Sequence, residues 1–201
     1  MIYWTIEQSL KSKYIAQNVY VTSDNRDILD LSASYGAIPI IRPSELSTDR
    51  SSSEDALLHA IEKIEKTISI DLVVFLQCTS PLRETVDIDN AIDKFIKNSY
   101  DSLFSATDMK DLCLWRSVEN NFSSINFDYK ARQMRQDITP QYSENGSFYI
   151  FKPDILKKNK NRFGGKIGIY EMDAWKIYEI DEANDIEICN YFMTTKILKN
   201  T

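Results

Sequence analysis

The chain has 201 residues, 43% hydrophobic and 27% charged, enough for one soluble domain with a sizeable core. Thirty acidic residues against 24 basic ones give a net charge of -6, which argues against nonspecific nucleic-acid binding because that needs a basic footprint. No apolar run approaches the roughly 20 residues of a membrane helix, and the three cysteines (Cys78, Cys113, Cys189) form no C-x-x-C pair, so neither a disulfide framework nor a zinc site follows.

Scattered cysteines fit a reduced, cytoplasmic compartment. Met1 to Lys13 carry Glu7 and lack the basic start and apolar centre of a secretion signal. The glycosylation-type triplets Asn121-Phe122-Ser123 and Asn145-Gly146-Ser147 are then coincidental.

Ile2, Ile6 and Leu10 recur at helical spacing and predict a helix over residues 2–13. Val19 to Thr22 is β-rich and predicts a strand. Ser23-Asp24 opens a helix that runs to Tyr35 and closes at Gly36. Ala37 to Ile41 is a second strand, stopped by Arg42-Pro43. A polar loop over 44–53 follows, and Ser51-Ser52-Ser53-Glu54-Asp55 opens a helix to about residue 67. Those serines are either caps or a polar site at a helix N-terminus. Leu72 to Leu76 has the continuous apolar run of a strand covered on both faces. Thr85 to Asn98 is a helix with Val86, Ile88, Ile92, Phe95 and Ile96 as its apolar set, and Asp101 to Thr107 is a strand.

This alternation predicts an α/β fold with a doubly wound sheet. No Pro/Gly-rich linker and no repeat interrupts it, so residues 1–201 read as a single domain. Residues 108–144 are irregular and rich in polar and aromatic side chains, the pattern of a functional or partner-binding excursion. Ser147 to Phe151, Lys166 to Glu171 and Trp175 to Ile180 read as strands, Gly164-Gly165 as a turn, and Asp185 to Leu198 as the closing helix.

In an open α/β sheet, ligands sit beyond the carboxyl ends of the strands. Gln77, Thr79, Ser80 and Arg83 follow the 72–76 strand and are placed to face a ligand, although an ordinary turn after a buried strand has the same signature. Three further groups can share that rim: Arg42 with Ser51 to Ser53, Arg135-Gln136-Asp137 with Tyr142 to Tyr149, and Glu179-Ile180-Asp181. Two carboxylates in an E-x-D pattern project to one side of a strand and can share a hard divalent cation. A solvated strand end followed by a helix cap would look the same. His59, the one histidine, lies among Leu57, Leu58, Ala60 and Ile61 and reads as structural. No Ser/His/Asp or Cys/His set can be assembled.

In order, the motifs are Ile2-Tyr3-Trp4-Thr5-Ile6-Glu7, Arg42-Pro43-x-Glu45-Leu46-x-x-Asp49, Leu76-Gln77-x-Thr79-Ser80-Pro81-Leu82-Arg83, Arg135-Gln136-Asp137, Glu144-Asn145-Gly146-Ser147-Phe148-Tyr149 and Glu179-x-Asp181. Together they resemble the acylneuraminate cytidylyltransferases, the CMP-sialic acid synthetases, over nearly the whole chain. The sister enzymes for the eight-carbon acid Kdo are less similar, because their strand-end motif differs.

The resemblance implies a Rossmann-like, doubly wound, mostly parallel sheet of the nucleotide-diphospho-sugar transferase type. It implies that a nine-carbon α-keto acid sugar attacks the α-phosphorus of CTP with Mg²⁺ as cofactor, releasing pyrophosphate. Asp181 and Arg83 would be catalytic, and Asp181 with Glu179 would hold the metal. Arg42, Ser51 and Ser53 would bind the nucleotide. Gln77, Arg135, Asn145 and Tyr149 would hold the sugar acid, with Arg135 apt for its carboxylate. The 108–144 excursion would make a homodimer.

The sequence departs from the family in three places. The family opens with a strand and an R-x-G-S-K phosphate loop followed by K-N, whereas this sequence begins where the family's first helix does. Roughly thirty residues that would cradle the triphosphate are thus expected to be absent, with Met1 an internal methionine or a mistaken start. Losing that strand leaves its neighbours unpaired, so the chain is expected to be less stable than a full-length relative. Glu179 replaces the first aspartate of the family's D-x-D. Ser143 stands where bacterial sialate enzymes often carry an arginine. The alternative is a truncated or non-catalytic nucleotide- or sugar-binding relative, and a third reading is a transferase for another base or sugar.

Overall fold

Helices and strands alternate through the first hundred residues of the computed structural model, which describes residues 1–15, 17–109 and 112–200 (all but the side chain of Asn200). They are α1 (Ile2–Leu10), β1 (Tyr20–Ser23), α2 (Arg26–Ser34), β2 (Ile38–Ile41), α3 (Ser53–Ile64), β3 (Val73–Leu76), α4 (Thr85–Lys97) and β4 (Ser102–Asp108). Local chemistry sets the boundaries. Asn25 caps α2 by accepting from the Ile28 N–H, and Gly36 at φ +93° ends it. Ser52 caps α3 in the same way, through the Asp55 N–H. Glu84 and Asp87 form a reciprocal capping box on α4.

The central sheet depends on β7 (Tyr142–Phe151), which pairs antiparallel with both β3 and β4, while β8 (Ile167–Met172) pairs parallel with β4. The order is β3-β7-β4-β8. Three strands therefore share one direction and β7 opposes them. Side chains on β7 alternate. Phe148 and Ile150 join Ile88, Ala91, Ile92 and Phe95 of α4 on one face. Tyr149 and Phe151 join Leu57, Leu58 and Ile61 of α3 and Leu156 of α5 (Pro153–Asn159) on the other. Helices thus cover both faces. On α4, Val86 and Ile96 are exposed, and Ala91 takes the place expected of them in the core.

β1 and β2 pair in parallel with each other, and among the described residues no ladder joins them to the four-stranded sheet. α1 bridges the two parts. Ile6 packs with Val19 and Ala37, while Gln8 Nε2 donates to the Arg83 carbonyl at 2.7 Å. Both faces of β3 are packed, Val74 and Leu76 on one and Val73 and Phe75 on the other. All four β3 residues nonetheless remain half-buried, because only one edge of this strand has a partner among the described residues.

The second half departs further from the sequence expectation. The irregular stretch contains a hairpin, β5 (Trp115–Val118) with β6 (Asn121–Ser124), turned by Glu119 and Asn120 at positive φ. The segment expected as a strand from Trp175 to Ile180 is a 3₁₀ turn over Ala174–Ile177 and then chain outside any ladder. Asp173 and Ala174 leave the sheet edge, and the one backbone–backbone bond from this segment to the turn after β3, among the described residues, is from the Ile180 N–H to the Thr79 carbonyl at 2.7 Å. α6 (Asp185–Phe192) continues as a π turn over Met193–Ile197. Among the described residues no helix is long and apolar enough to cross a membrane.

This asymmetry has a measurable consequence. Amides of β4 and β7, paired on both sides, should exchange with solvent more slowly than those of β1 and β2, by about 2 kcal/mol in opening free energy or roughly thirtyfold in rate. Equal protection of β1, β2, β4 and β7 in native-state hydrogen exchange would contradict the two-part description.

Candidate active site

The carboxyl end of β3 runs into a tight turn, Gln77 to Arg83, whose carbonyls lack ladder partners. A buried guanidinium satisfies two of them, those of Gln77 and Ser80. Arg83 Nη1 donates to the carbonyls of Gln77 (3.1 Å), Ser80 (2.6 Å) and Ser147 (2.9 Å). Its Nη2 donates to the Gln77 carbonyl (3.1 Å) and to Thr5 Oγ1 on α1 (2.7 Å). Arg83 is fully buried at 0% exposure, so it lies beneath the rim instead of facing a ligand there. Burial lowers its pKa to about 10, with Cys78 and Asp87 pulling the other way, and it stays charged at neutral pH.

Above this turn β7 bulges. Phe104 pairs with Tyr149 but Ala106 with Glu144, so two steps along β4 match five along β7. Asn145-Gly146-Ser147 fills the excess, with Gly146 at φ +65°. A Cβ on Gly146 would lie 2.6 Å from Glu179 Oε2, 2.8 Å from Ser80 Oγ and 3.3 Å from Gln77 Oε1. Three polar side chains thus converge on bare backbone. Ser80 Oγ donates to Glu179 Oε2 at 3.0 Å. The segment bearing Glu179 is anchored at its start by Lys176, whose Nζ bonds Asp87 (2.6 Å) and Glu84 (2.9 Å). Burial works against the Lys176 charge, but those two carboxylates outweigh it and hold its pKa above the usual range.

The same bulge brings Glu144 to the side of Tyr149, although residues five apart on a regular strand point oppositely. Tyr149 donates its hydroxyl to Glu144 Oε2 at 2.9 Å. Burial and that carboxylate push the phenol well above its usual range. Its ring lies beside Phe75, with centroids 5.9 Å apart. The Arg162 guanidinium covers both rings, at 4.6 Å from Tyr149 and 4.9 Å from Phe75. Arg162 Nε donates to Glu54 at the start of α3 (2.8 Å). Burial alone would raise the Glu54 carboxyl, but Arg162 more than reverses this and lowers it.

The structure therefore brings Gln77, Ser80, Tyr149 and Glu179 together. Asp181 lies two residues on, exposed, its carboxylate without a hydrogen bond among the described residues. Asn145 is wholly buried and braces the interior. Its Nδ2 donates to the Lys176 carbonyl (3.3 Å) and its Oδ1 accepts from the Ser147 N–H (3.3 Å). Arg135 is exposed on a 3₁₀ turn in the excursion and does not join this cluster. Arg42 and Ser51 organise their own loop: Arg42 Nε donates to Ser47 Oγ (2.9 Å) and Ser51 Oγ to the Glu45 carbonyl (3.2 Å). Ser53 is exposed at the first position of α3. His59 is half-buried on α3, and its Nδ1 is buried without a hydrogen-bond partner among the described residues.

Arg162 and Lys176 escaped the sequence analysis, and Glu144 entered it only as the first residue of the Glu144–Tyr149 motif, with no role of its own. Arg162 stands two residues before the Gly164-Gly165 turn with no periodic pattern to mark it. Glu179 and Asp181 are oxygen donors without an ion pair among the described residues, a set that suits Mg²⁺ when phosphates complete its shell. No group of three or more metal-ligating side chains occurs among the described residues, so a cation here needs a ligand's own oxygens.

A family model described as cytidylyltransferase matches residues 1–200. The pseudaminic acid cytidylyltransferase of Campylobacter jejuni is 30% identical over 192 residues, which cover 93% of this chain and 82% of that protein. N-acylneuraminate cytidylyltransferase A of Danio rerio is 29% identical over 191 residues, 93% of this chain but 43% of that longer protein. Among solved structures, a CMP:2-keto-3-deoxy-manno-octonic acid synthetase complexed with CTP aligns with a TM-score of 0.70 at 14% identity, over 98% of this chain and 88% of that one. At that identity the likeness is one of fold.

Replacing Arg83 with Met strands the carbonyls it serves, and should lower stability by about 3 kcal/mol in urea unfolding. Gly146→Ala should cost about 1–2 kcal/mol for left-handed backbone and push Glu179 away as well. Losses under about 0.5 kcal/mol for both would show that the turn and bulge are held by something else.

Proposed function

The chain belongs to the cytidylyltransferase family, and from that premise we propose that it joins the cytidylyl group of CTP to a nine-carbon α-keto acid sugar of the sialic-acid type. The anomeric hydroxyl attacks the α-phosphorus, the bond to the β-phosphate oxygen breaks, and pyrophosphate leaves. The observation that carries this reading is the convergence of Gln77, Ser80 and Glu179 on Gly146, next to Tyr149, at the carboxyl end of β3.

Such a transfer needs positioning and charge neutralisation more than covalent help. Glu179 and Asp181 would hold Mg²⁺, which neutralises phosphate oxygens when bound. Gln77, with one donor and one acceptor function, orients sugar hydroxyls. Tyr149 adds a ring wall and a hydroxyl oxygen. Arg42, Ser51 and Ser53 serve the cytosine from the loop after β2. Arg83 acts through the turn it holds, and Asn145 through the bulge it braces, as positioning residues.

The excursion supports a homodimer in this reading. Trp115, Val118, Phe122, Tyr129 and Met134 are all exposed there, an apolar surface that a second copy would cover. Arg135 sits on the same excursion, so its part in sugar binding is proposed only within that dimer.

The test is pyrophosphate release with CTP, Mg²⁺ and a panel of sialic, legionaminic and pseudaminic acids. Turnover with one acid, and with CTP over the other nucleotides, is expected. Asp181→Asn should cut it roughly a hundredfold and raise the Mg²⁺ requirement. Nucleotide binding without turnover would replace the enzyme reading by that of a binding relative.

A further inference from the structure

We propose that the guanidinium of Arg162 receives the carboxylate of the sugar acid, an assignment that rests on the reaction proposed above. Three observations carry it. First, the surroundings of Tyr149 are acidic: its hydroxyl bonds Glu144, and the Glu179 charge acts on it as well. An anionic sugar brought there needs a cation, and Arg162 is the cation against these rings among the described residues. Arg83 and Lys176 are buried and engaged elsewhere.

Second, Arg162 is only partly committed. Glu54 takes its Nε, and its two terminal amino groups make no hydrogen bond among the described residues. Third, it is pre-organised. The Phe75 and Tyr149 rings fix its plane, Glu54 fixes its rotation, and the side chain is 12% exposed. A planar fork held in one orientation can pair with both carboxylate oxygens at little further entropic cost. Phosphates, the other anions of this reaction, would be met by the divalent cation proposed for Glu179 and Asp181. The rival is a clasp that merely ties α3 to β7.

The experiment compares two ligands, N-acetylneuraminic acid and its methyl ester, by calorimetry on the wild-type chain and on Arg162→Met, with CTP as control. The wild type should prefer the acid by about tenfold or more, the effect of a charge-assisted pair. In Arg162→Met that preference should fall to about one with CTP affinity unchanged, and Arg162→Lys should lie between. If Arg162→Met does not fold, Arg162→Lys carries the test through a reduced preference. Equal weakening of acid and ester would make Arg162 a clasp only and overturn the proposal. A loss confined to CTP would move its anion to the phosphates and overturn it too. Wild-type protein that binds neither sugar form also overturns it, and CTP binding in the same sample then shows whether the cytidylyltransferase reading survives.

Discussion

Arg83 is the constraint on which the rest of the site depends. A cation fully out of water is costly, and here no carboxylate bonds it among the described residues. Six hydrogen bonds to neutral oxygens on the 77–83 turn, β7 and α1 offset that cost. The same bonds fix the geometry. The turn's carbonyls point down to the guanidinium, so Gln77 and Ser80 are held against Gly146. A neutral residue of similar size would leave several acceptors unpaired at once.

The second device is the bulge in β7. Three residues in excess of the ladder would ordinarily weaken a strand. Asn145 makes the excess stable by bonding within the core, and Gly146 by accepting a left-handed backbone. The bulge reverses the strand's facing, so Glu144 and Tyr149 meet. Acidic groups then gather on one side, Glu144, Glu179 and, through Arg162, Glu54. This acidic gathering gives Arg162 its significance, since the proposed substrates are themselves anions.

The helical supports follow the same logic at longer range. Lys176 pins the segment before Glu179 to the start of α4, and Thr79 pins the segment after it. α1 holds both the isolated β1–β2 pair and the Arg83 turn. The rim is thus assembled from four stretches far apart in sequence, each fixed by a few polar bonds and not by a continuous ladder.

Much was legible in the sequence alone. Helix and strand periodicity placed α1 to α4 and β1 to β4 within a few residues, because local hydrophobic spacing and caps such as Ser52 act over one turn of chain. The motifs gave the family, and with it a set of expected site residues, of which the structure brings Gln77, Tyr149 and Glu179 close together while Arg83 and Asn145 lie beneath them and Arg42, Ser51 and Arg135 lie apart. The sequence could not reveal that Arg83 and Asn145 turn inward, that Trp175 to Ile180 leaves the sheet, or that β7 runs against its neighbours. Those outcomes depend on which unpaired backbone groups lie nearby once the strands have assembled. Arg162 is the clearest case. No local pattern marks it, and its relation to Tyr149 exists only because α5 and its following loop fold back over β3 and β7. Sequence by itself determined the elements and the chemical types at the rim. Tertiary structure alone decided which of those groups face a ligand and which hold the rim in place, because burial and hydrogen-bond satisfaction are settled between segments and not within them.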